Sequence, residues 1–504
     1  MLRSTRMRAL AAATPQSRLL GDGDAFVSGI TYDSRATRTG DLFAALRGAD
    51  FDGHAFIRDA QARGAAGFLV EDALPLDFPQ ILVSDTRAAL PAVSAAFFAH
   101  PSRELGVIGI TGTDGKTTTS YLIDHILKSS GLLTGMIGTV AIRIGDQEIL
   151  HPSRQTTPES SDIQRLMREM ADAHAAWAIL EATSHGLALH RLDCVRFRVG
   201  AVTNVTQEHL DFHGSVERYR RAKGKLLERV AEEQGIAVVN ADDAGARDIA
   251  RYAGAASVLT YSATGAAADL RADDVRFDAT GSLFAIDLSG TGREDVQLPL
   301  LGDFNVANAL CASAVAIAVG VPLHEIALAL SDAPAIPGRT ARVDVGQPFS
   351  VIIDYAHTPQ AMEKIMRLLR LLHPEGRLIT VFGSAGERDI EKRPIQGAIA
   401  ARLGDICVIT SEDPRFEDAD AIIAQIADGA IAAGAVPGET LHRRTDRRDA
   451  IQLAMELASP GDCVLLAGKG HEASIIWGRE KFPWDETGVA RDILLDTGYP
   501  EINF

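Results

Sequence analysis

Residues Leu105–Thr119 read LGVIGITGTDGKTTT, and this stretch decides the fold prediction. The apolar run that ends at Ile110 has the length and continuity of a buried parallel strand. A glycine-rich loop follows it, and beyond Lys116 apolar side chains recur on one helix face as far as Gly131. The stretch therefore predicts a strand, a loop and a helix in succession, the repeating unit of a doubly wound α/β sheet.

The glycine-rich loop predicts phosphate binding. Glycines let the backbone turn so that N–H groups at the helix N-terminus point at phosphate oxygens, while Lys116 adds a positive charge and the Thr117 hydroxyl suits Mg²⁺. The spacing departs from the strict Walker motif, because Ile110 stands where the first glycine should be. The strand before the loop and the helix after it favour a real site over a chance match. The candidate phosphate-binding residues are Thr111, Gly112, Thr113, Asp114, Gly115, Lys116, Thr117 and Thr118.

Polar residues also follow the next buried strands along the chain. Glu181 ends one strand, at the edge where a metal ion bridging nucleotide oxygens needs an anionic ligand, although an N-cap cluster is equally open. The following strand leads into Glu208–His213, whose two histidines and two acids favour a site at the same edge. These strands, alternating with helices, are predicted at WAILEA (177–182), VGAVTN (199–204) and IAVVN (236–240).

Two further segments are ambiguous from spacing alone. Tyr219–Lys223 is basic and is typical of a solvated helix face. Asn305 and Asn308 lie three residues apart on one helix face, where their amides could cap the helix or bind an adenine edge.

The organisation of the whole chain is predicted from its length and its proline breaks. A chain of 504 residues is long enough for about three domains. A small α/β region with a helix over 85–98 comes first, and the His100-Pro101-Ser102 segment interrupts it. Pro334 and Pro337 break the helix pattern again. We therefore expect domains over residues 1–101, 102–336 and 337–504, the last with four strands that run into polar or glycine-rich loops.

Composition limits the classes of partner. The 50 basic and 67 acidic side chains give a net charge of −17, which argues against nucleic acid as a partner. Four cysteines without C-x-x-C spacing indicate neither a disulfide framework nor a zinc ribbon. The N-terminal apolar stretch is too short for a signal peptide, and no run reaches the ~18 residues of a membrane span. We expect a soluble, cytoplasmic monomer that binds small molecules.

Nine motifs in serial order resemble those of the Mur ligases of peptidoglycan precursor synthesis. The resemblance spans nearly the whole chain and is greatest to the branch that adds the third peptide residue. It implies an α/β protein with a small UDP-sugar domain, a central P-loop-type doubly wound ATPase domain and a C-terminal Rossmann-like domain for the incoming amino acid. The motifs are TGTDGKTTT, EATSHGL, TNVTQEHLDFHG, YRRAK, GDFNVANA, PGRTARVD, DYAHTP, GSAGERDIEKRP and AGKGHE.

The same resemblance implies an ATP- and Mg²⁺-dependent amide ligase. It would join a diamino acid (meso-diaminopimelate, L-lysine or L-ornithine) to UDP-N-acetylmuramoyl-L-Ala-D-Glu through an acyl phosphate. The alternatives are another ligase of the superfamily, such as a folylpolyglutamate synthetase, and a non-catalytic nucleotide-binding relative. The Asp33-Ser34-Arg35 motif in the first domain weighs against the former, which has no UDP-sugar domain. The retained Glu181, His209 and Lys223 weigh against the latter.

Residue roles follow from the resemblance, position by position. The implied catalytic residues are Lys116, His209 and Lys223. The implied Mg²⁺ ligands are Thr117, Glu181, His209 and Lys223, the last as an N6-carboxylysine. The ATP site would add to the phosphate loop Asn305, Asn308, Arg339 and Asp354, of which the last two would reach the nucleotide by domain closure. The UDP-sugar site would contain Ser34, Thr156, Thr157, Thr183 and Arg191. The amino-acid site would contain Arg388, Asp413, Arg415, Gly468 and Glu472.

The segment Ser411–Arg415 departs from the family pattern. Relatives that add diaminopimelate read D-N-P-R, and here Asp413 replaces the asparagine. A carboxylate about 4 Å from another carboxylate costs roughly 4 kcal/mol at an effective dielectric of 20, unless Arg415 or a proton compensates. Arg415 favours meso-diaminopimelate and Asp413 favours a distal ammonium group, so both choices stay open.

Overall fold

The computed structural model describes residues 4–48, 52–75, 77–150, 155–278 and 281–499. It divides into two compact units. The first comprises the described residues of Met1–Val275, Phe284–Val296 and Asp303–Ala333, and the second those of Arg276–Leu283, Gln297–Gly302 and Pro334–Phe504. The boundaries at 101/102 and 336/337 stay predictions. Within the described residues, no helix combines the length and apolarity that a membrane crossing requires.

The N-terminal part of the first unit is built on a five-stranded sheet. The strands of this region are β1 (Thr5–Arg6), β2 (Arg18–Leu20), β3 (Phe26–Val27), β4 (Gly29–Thr31), β5 (Asp41–Ala44), β6 (Gly67–Val70) and β7 (Gln80–Leu82), of which β2 and β4 to β7 form the five-stranded sheet. Its helices are α1 (Met7–Ala13), α2 (Ile57–Ala62) and α3 (Thr86–Phe97). The sheet order is β2-β7-β6-β5-β4, with β1 and β3 paired separately. The predicted helix over 85–98 is confirmed as α3, whose N-cap Asp85 accepts a hydrogen bond from the Ala88 N–H.

A second, eleven-stranded sheet follows in the chain. Its strands are β8 (Gly106–Thr111), β9 (Thr134–Ile137), β10 (Ala141–Ile144), β11 (Gln147–Leu150), β12 (Trp177–Glu181), β13 (Val199–Val202), β14 (Ile236–Asn240), β15 (Ser257–Ser262), β16 (Leu270–Asp278), β17 (Gly281–Leu288) and β18 (Gly292–Leu298). Its helices are α4 (Lys116–Ser129), α5 (Ser160–Asp172), α6 (Ser184–Ala188), α7 (Leu210–His213), α8 (Val216–Glu232), α9 (Ala244–Ile249), α10 (Asp303–Ala318) and α11 (Leu323–Ser331). The sheet order is β11-β10-β9-β12-β8-β13-β14-β15-β16-β17-β18.

The order of this sheet positions the phosphate loop. β8 lies between β12 and β13 and is parallel to both, so the residues that follow these three strands meet at one edge. These strands are mainly apolar, as is typical of parallel strands covered by helices, and Val107, Ile108 and Ile110 have no exposed surface. The strands predicted at LGVIGI, WAILEA, VGAVTN and IAVVN are confirmed as β8, β12, β13 and β14.

The second unit contains a six-stranded sheet in the order β19-β20-β24-β21-β22-β23. Its strands are β19 (Ala341–Val343), β20 (Ser350–Asp354), β21 (Leu378–Phe382), β22 (Ile406–Ile409), β23 (Leu441–Arg443) and β24 (Cys463–Ala467), with β25 (Ser474–Trp477) and β26 (Glu480–Pro483) in a separate pair. Its helices are α12 (Pro359–Leu372), α13 (Lys392–Leu403), α14 (Ala419–Ala432), α15 (Arg447–Leu457) and α16 (Glu486–Asp496). Five strands run parallel and β19 is antiparallel, so the four predicted strands share one carboxyl edge.

Candidate functional site

The phosphate loop connects the end of β8 to the start of α4. Thr111 closes the strand with its side chain buried, and Gly115 is the N-cap of the helix with a φ of 83°. A Cβ atom at Gly115 would lie 2.2 Å from the Asn308 Oδ1 atom, so both its backbone conformation and its close neighbour require glycine. The loop therefore presents the N-terminus of a 14-residue helix, as the sequence predicted.

The residues after β13 hold the loop in place. The Asn204 side chain accepts a hydrogen bond from the Asp114 N–H at 2.9 Å and donates one to the Asp114 carbonyl at 3.2 Å. The Thr203 hydroxyl donates to the same carbonyl at 2.6 Å. We assigned no role to Thr203 or Asn204 from the sequence, although Asn204 lies inside the quoted TNVTQEHLDFHG motif.

Two lysines converge on the first turn of the loop. Lys116 Nζ donates to the Gly112 carbonyl at 3.0 Å, and Lys223 Nζ donates to the same carbonyl at 2.6 Å. Lys223 is fully buried below the loop and lies 4.7 Å from the centroid of the Tyr219 ring. Burial, and next to it the charge of Lys116, lowers the pKa of Lys223 well below its ordinary value. The solvated-face interpretation of Tyr219–Lys223 is therefore wrong for Lys223.

Glu181 lies at the end of β12 and faces the start of α4. Its Oε2 atom accepts hydrogen bonds from the Thr117 hydroxyl at 3.1 Å and the Thr139 hydroxyl at 2.8 Å. Its Oε1 atom accepts from the Thr139 N–H at 2.9 Å. The N-cap of α6 is Thr183, whose hydroxyl accepts from the Gly186 N–H. The N-cap cluster is therefore confirmed for Thr183, whereas Glu181 takes no part in the cap. Thr139 was missed because nothing in its local sequence marks it.

His209 is the N-cap of α7 and has a left-handed conformation, with a φ of 54°. Its ring packs edge to face on that of His185, with the centroids 4.6 Å apart. Desolvation, followed by the charges of Lys116 and Lys223, lowers the pKa of His209 to about 4, so the ring is neutral at pH 7. Among the described residues, no three His, Cys, Asp or Glu side chains form a group that could hold a metal ion by themselves.

Asn305 and Asn308 belong to the first turns of α10 and are both buried. The Asn308 amide donates to the Asn305 Oδ1 atom at 3.1 Å. Since Asn308 also lies against Gly115, the pair packs beside the phosphate loop. Thr118, the last residue of the predicted loop set, lies in the first turn of α4 with its side chain buried.

Three of the predicted sugar-nucleotide residues form one cluster. The Thr157 hydroxyl is 2.9 Å from the Thr183 hydroxyl and donates to the Glu181 carbonyl at 2.7 Å. Arg191 donates to the Thr157 carbonyl at 3.0 Å and forms an ion pair with Glu159 at 2.8 Å. The Thr156 hydroxyl, from the same predicted set, lies 3.0 Å from the Thr139 hydroxyl.

Glu159 joins this cluster to the N-terminal sheet region. It accepts a hydrogen bond from Arg87 of α3 at 3.1 Å on the oxygen that pairs with Arg191. A second connection runs from the Tyr32 hydroxyl to Asp162 at 3.0 Å, next to the predicted Ser34. Ser34 itself is buried in a short 3-10 helix, Ser34–Ala36. Glu159 was missed because its two partners are remote in sequence.

The second unit holds the remaining predicted ATP residues. The Arg339 guanidinium lies 4.6 Å from the centroid of the Tyr355 ring. Asp354, at the end of β20, accepts hydrogen bonds from the N–H groups of Thr340 and Ala356, both at 2.8 Å. Burial raises the pKa of Asp354, and the charge of Arg339 partly opposes this rise.

The predicted amino-acid residues lie on three loops of the second unit. Arg388 is exposed on the loop after β21, and Gly468 and Glu472 follow β24. Asp413 and Arg415 follow β22, with Asp413 buried and Arg415 half-buried. These strands are adjacent in the order β24-β21-β22, so the three loops emerge from one edge.

Asp413 has a cationic partner that the sequence interpretation missed. The fully buried Lys469 donates to the Asp413 Oδ1 atom at 3.1 Å. The premise that only Arg415 or a proton could compensate the charge of Asp413 is therefore wrong. The signal was present in the AGKGHE motif, but only the sheet order brings Lys469 to Asp413.

Three family models match successive parts of the chain. The Mur ligase family, catalytic domain model matches residues 26–103, the Mur ligase middle domain model residues 110–316, and the Mur ligase, glutamate ligase domain model residues 338–470. A UDP-N-acetylmuramyl-tripeptide synthetase of Roseiflexus sp. (strain RS-1) is 49% identical over 488 residues, which cover 94% of this chain and 95% of that protein. The chain belongs to the Mur ligase family.

Further relatives match nearly the whole length of this Mur ligase. A UDP-N-acetylmuramoyl-L-alanyl-D-glutamate--2,6-diaminopimelate ligase of Streptomyces coelicolor is 41% identical, covering 96% of this chain and 97% of that protein. A solved structure of a ligase with the same name is 28% identical, with a TM-score of 0.66, covering 98% of this chain and 99% of that chain. The resemblance to Mur ligases is thereby confirmed, and so is the three-domain α/β fold class.

Proposed function

We propose that this Mur ligase adds a diamino acid to UDP-N-acetylmuramoyl-L-Ala-D-Glu at the expense of ATP. The observation that carries the proposal is the convergence of Lys116 and Lys223 on the Gly112 carbonyl, beside the Thr117–Glu181 contact. The names of its full-length relatives give the acceptor and the class of amino acid.

The nucleotide would bind at the N-terminus of α4. Backbone N–H groups of the loop and the partial positive charge of the helix end attract phosphate oxygens. Lys116 Nζ donates to the carbonyls of Gly112 and Thr113 within its own loop, and an incoming phosphate oxygen would replace them as its acceptor. Asn305 and Asn308 pack beside the loop, and we propose that they border the adenine side of the ATP site. Arg339 and Asp354 stay proposed nucleotide-binding residues.

The residues beside the loop fit a magnesium ion. Mg²⁺ prefers oxygen ligands and binds through one or two carboxylates together with phosphates and water. The Thr117 hydroxyl and the Glu181 carboxylate supply hard oxygen atoms 3.1 Å apart, and the neutral His209 ring supplies a nitrogen lone pair. We propose these three residues and Lys223 as the holders of the ion, which would neutralise charge on the triphosphate.

Lys223 would serve this site as a carbamate. Two ammonium groups sharing one carbonyl acceptor repel each other, and burial of Lys223 strengthens the repulsion. The Lys223 ammonium first loses one proton, and the resulting amine attacks CO₂, which forms an N–C bond, opens one C=O double bond and releases a second proton. The buried cation is thereby replaced by an anion with two oxygen atoms. The carbamate would then attract Lys116 instead of repelling it.

The reaction needs positioning and charge neutralisation more than an enzyme nucleophile. A D-glutamyl carboxylate oxygen attacks the γ-phosphorus of ATP, the bond to the β–γ bridging oxygen breaks, and ADP leaves. The amine of the incoming amino acid attacks the acyl carbon, phosphate leaves, and the nitrogen loses a proton. Lys116 would donate hydrogen bonds to the transferring phosphoryl group during the first step.

The acceptor would bind along the Thr157–Thr183–Arg191 cluster, with Ser34 on the uridine side. This cluster contacts the Glu181 backbone directly, so the acceptor carboxylate and the phosphate loop would share one cavity. The incoming amino acid would bind to Arg388, Asp413, Arg415, Gly468 and Glu472.

Both alternatives are testable against this function. A folylpolyglutamate synthetase would not require the region matched by the model over residues 26–103, and a non-catalytic relative would not turn over ATP. The decisive assay follows phosphate release with ATP, Mg²⁺, UDP-N-acetylmuramoyl-L-Ala-D-Glu and each of the three diamino acids. Release that depends on acceptor and diamino acid together supports the proposal. Absence of release with all three diamino acids would overturn it.

A further inference from the structure

Thr139 contacts residues of two sites that the proposed function assigns to different substrates. It follows β9 in the chain, and its side chain is half-buried. Its hydroxyl oxygen lies 2.8 Å from Glu181 Oε2 and 3.0 Å from the Thr156 hydroxyl. Glu181 belongs to the proposed metal site, and Thr156 belongs to the proposed UDP-sugar site. One side chain therefore connects the two sites.

The Thr139 hydroxyl has two hydrogen-bond acceptors within reach and a single proton. A threonine hydroxyl donates one hydrogen bond, so its proton points either to the Glu181 carboxylate or to the Thr156 oxygen. A hydrogen bond to an ionised acceptor is stronger than one to a neutral acceptor. While Glu181 carries no cation, the proton of Thr139 is therefore directed at the carboxylate.

The Glu181 oxygen that Thr139 contacts has no spare acceptor capacity. Each carboxylate oxygen offers about two lone-pair positions, and this carboxylate is buried. On Oε2, one position is used by the Thr117 hydroxyl at 3.1 Å and the other by Thr139. Oε1 lies against Gly138, where a Cβ atom would approach it to 2.5 Å. Binding of a cation at Oε2, beside Thr117, therefore requires the Thr139 proton to leave this oxygen.

The Thr156 oxygen can receive the proton that leaves Glu181. When the Thr139 hydroxyl donates to Thr156, the proton of Thr156 remains available for an oxygen atom of a bound substrate. That second hydrogen bond polarises the Thr156 hydroxyl and makes its oxygen a better acceptor for Thr139, since hydrogen bonds in a chain strengthen one another. A substrate oxygen on Thr156 thus favours the same orientation of the Thr139 hydroxyl that frees Glu181 Oε2.

We propose that Thr139 is a positioning residue whose hydroxyl couples binding of the UDP-sugar substrate to binding of the magnesium nucleotide. The two orientations of its hydroxyl are the two states, and both ligands favour the same one, so the coupling is positive. The substrate group on Thr156 is accordingly an oxygen that accepts a hydrogen bond. Thr157, the next residue, donates to the Glu181 carbonyl at 2.7 Å and holds the two sites side by side. This inference rests on the proposed function.

The test measures how the UDP-sugar substrate changes the affinity for ADP. Calorimetric titrations of ADP in Mg²⁺, with and without saturating UDP-N-acetylmuramoyl-L-Ala-D-Glu, give two dissociation constants whose ratio is the coupling factor. In the wild type we expect the substrate to tighten ADP binding at least about fivefold, the lower end of ordinary coupling between sites.

Thr139→Val removes the hydroxyl proton and keeps the shape of the side chain and the backbone N–H. Its coupling factor should fall to within about twofold of one, because the state that both ligands favour no longer exists. Without the UDP-sugar, Mg²⁺ should increase its affinity for ADP at least as much as in the wild type, because Oε2 has lost a competing donor. A merely structural role for Thr139 predicts the opposite, a smaller effect of Mg²⁺.

Three controls accompany this variant. Thr139→Ser keeps the hydroxyl and should keep most of the coupling. Thr291→Val changes an exposed threonine in the turn between β17 and β18 and should keep the wild-type coupling factor. When Mg²⁺ is withheld, the UDP-sugar should leave the affinity for ADP unchanged in every variant, since no cation then competes for Glu181.

The outcomes distinguish this inference from the proposed function. A wild type that does not bind the UDP-sugar in its own titration contradicts the proposed function. A wild type that binds it without coupling overturns the inference alone, as does wild-type coupling in Thr139→Val, a smaller effect of Mg²⁺ in that variant, or equal loss of coupling in Thr139→Ser. Should Thr139→Val not melt cooperatively, Thr156→Val decides: a coupling factor near one supports the inference, and the wild-type factor contradicts it.

Discussion

Lys223 donates a hydrogen bond to the same carbonyl oxygen that accepts one from Lys116, at distances of 2.6 and 3.0 Å. The two lysines are far apart in sequence and lie on different helices, and Lys223 is the more deeply buried of the two. This relationship concentrates positive charge where a triphosphate would bind, and it makes the chemical state of Lys223 decisive for the site.

The first prediction concerns Lys223. Lys223→Ala should lower ligation by at least ~100-fold, because removing one transition-state charge stabiliser typically costs about 10²–10³ in kcat. Bicarbonate should not rescue it, since no amine remains to carry CO₂. Arg221→Ala on the exposed face of the same helix is the matched control and should stay near wild-type activity. Near-normal phosphate release by Lys223→Ala would refute the carbamate role.

Glu181 supplies a second prediction. Glu181→Gln replaces the oxygen pair that accepts from Thr117 and Thr139 by one acceptor and one donor, so it should weaken the Mg²⁺-dependent part of nucleotide binding about tenfold or more. Calorimetric titration of ADP with and without Mg²⁺ measures that part. Glu169→Gln, in an exposed ion pair with Arg165, serves as the control. If Mg²⁺ changes the affinity for ADP equally in Glu181→Gln and the wild type, Glu181 does not bind the metal ion.

A third prediction concerns the contact between the N-terminal sheet region and the sugar-nucleotide cluster. Glu159→Gln leaves the buried Arg191 and the nearby Arg87 without their shared carboxylate. Breaking a buried pair from one side typically costs about 3–5 kcal/mol, so the melting temperature should fall. KM for the UDP-sugar acceptor should rise more than KM for ATP. A parallel rise of both would indicate general loss of structure instead of a specific role.

The histidines near the phosphate loop predict a pH dependence of stability. The pKa values of His185, His209 and His213 are each lowered to about 4 by desolvation, below the ordinary value of 6.5. Between these values the unfolded chain binds more protons than the folded chain. The contribution of these histidines to the free energy of unfolding is therefore fully present above pH 6.5 and falls as the pH drops towards 4. The surrounding charges include Lys116, Lys223, Arg191 and Asp211, and the Glu208 Oε2 atom lies 3.7 Å from His209 Nε2.

The variant His213→Gln tests this effect, because it removes one of the three titrating rings. Its melting temperature should fall less than that of the wild type between pH 7 and pH 5. An identical pH profile in the variant would exclude His213 from the effect.

Local patterns were sufficient for much of the fold. The apolar run before Thr111 and the helix after Lys116 were predictable because a buried parallel strand leaves a continuous apolar run and an amphipathic helix leaves apolar residues at helical spacing. The strands ending at Glu181 and before Asn204 were predictable for the same reason. Their meeting at one edge followed from the general behaviour of parallel sheets.

Burial and pairing were not predictable in this way. The spacing of Tyr219–Lys223 is that of any basic helix, and only the packing of α8 below the phosphate loop buries Lys223. Likewise no local pattern pairs Asp413 with Lys469, which lies 56 residues away in the chain. Their contact depends on the order in which β24, β21 and β22 assemble.

The sequence by itself determined the succession of strands, phosphate loop and helices and the family to which the motifs belong, because periodicity and motif order are properties of neighbouring residues. The tertiary structure alone decided the charge state of the amino-acid site. A buried ion pair forms only when the packed sheet has removed water from two remote side chains, and that choice of partner changes which charges remain for a ligand.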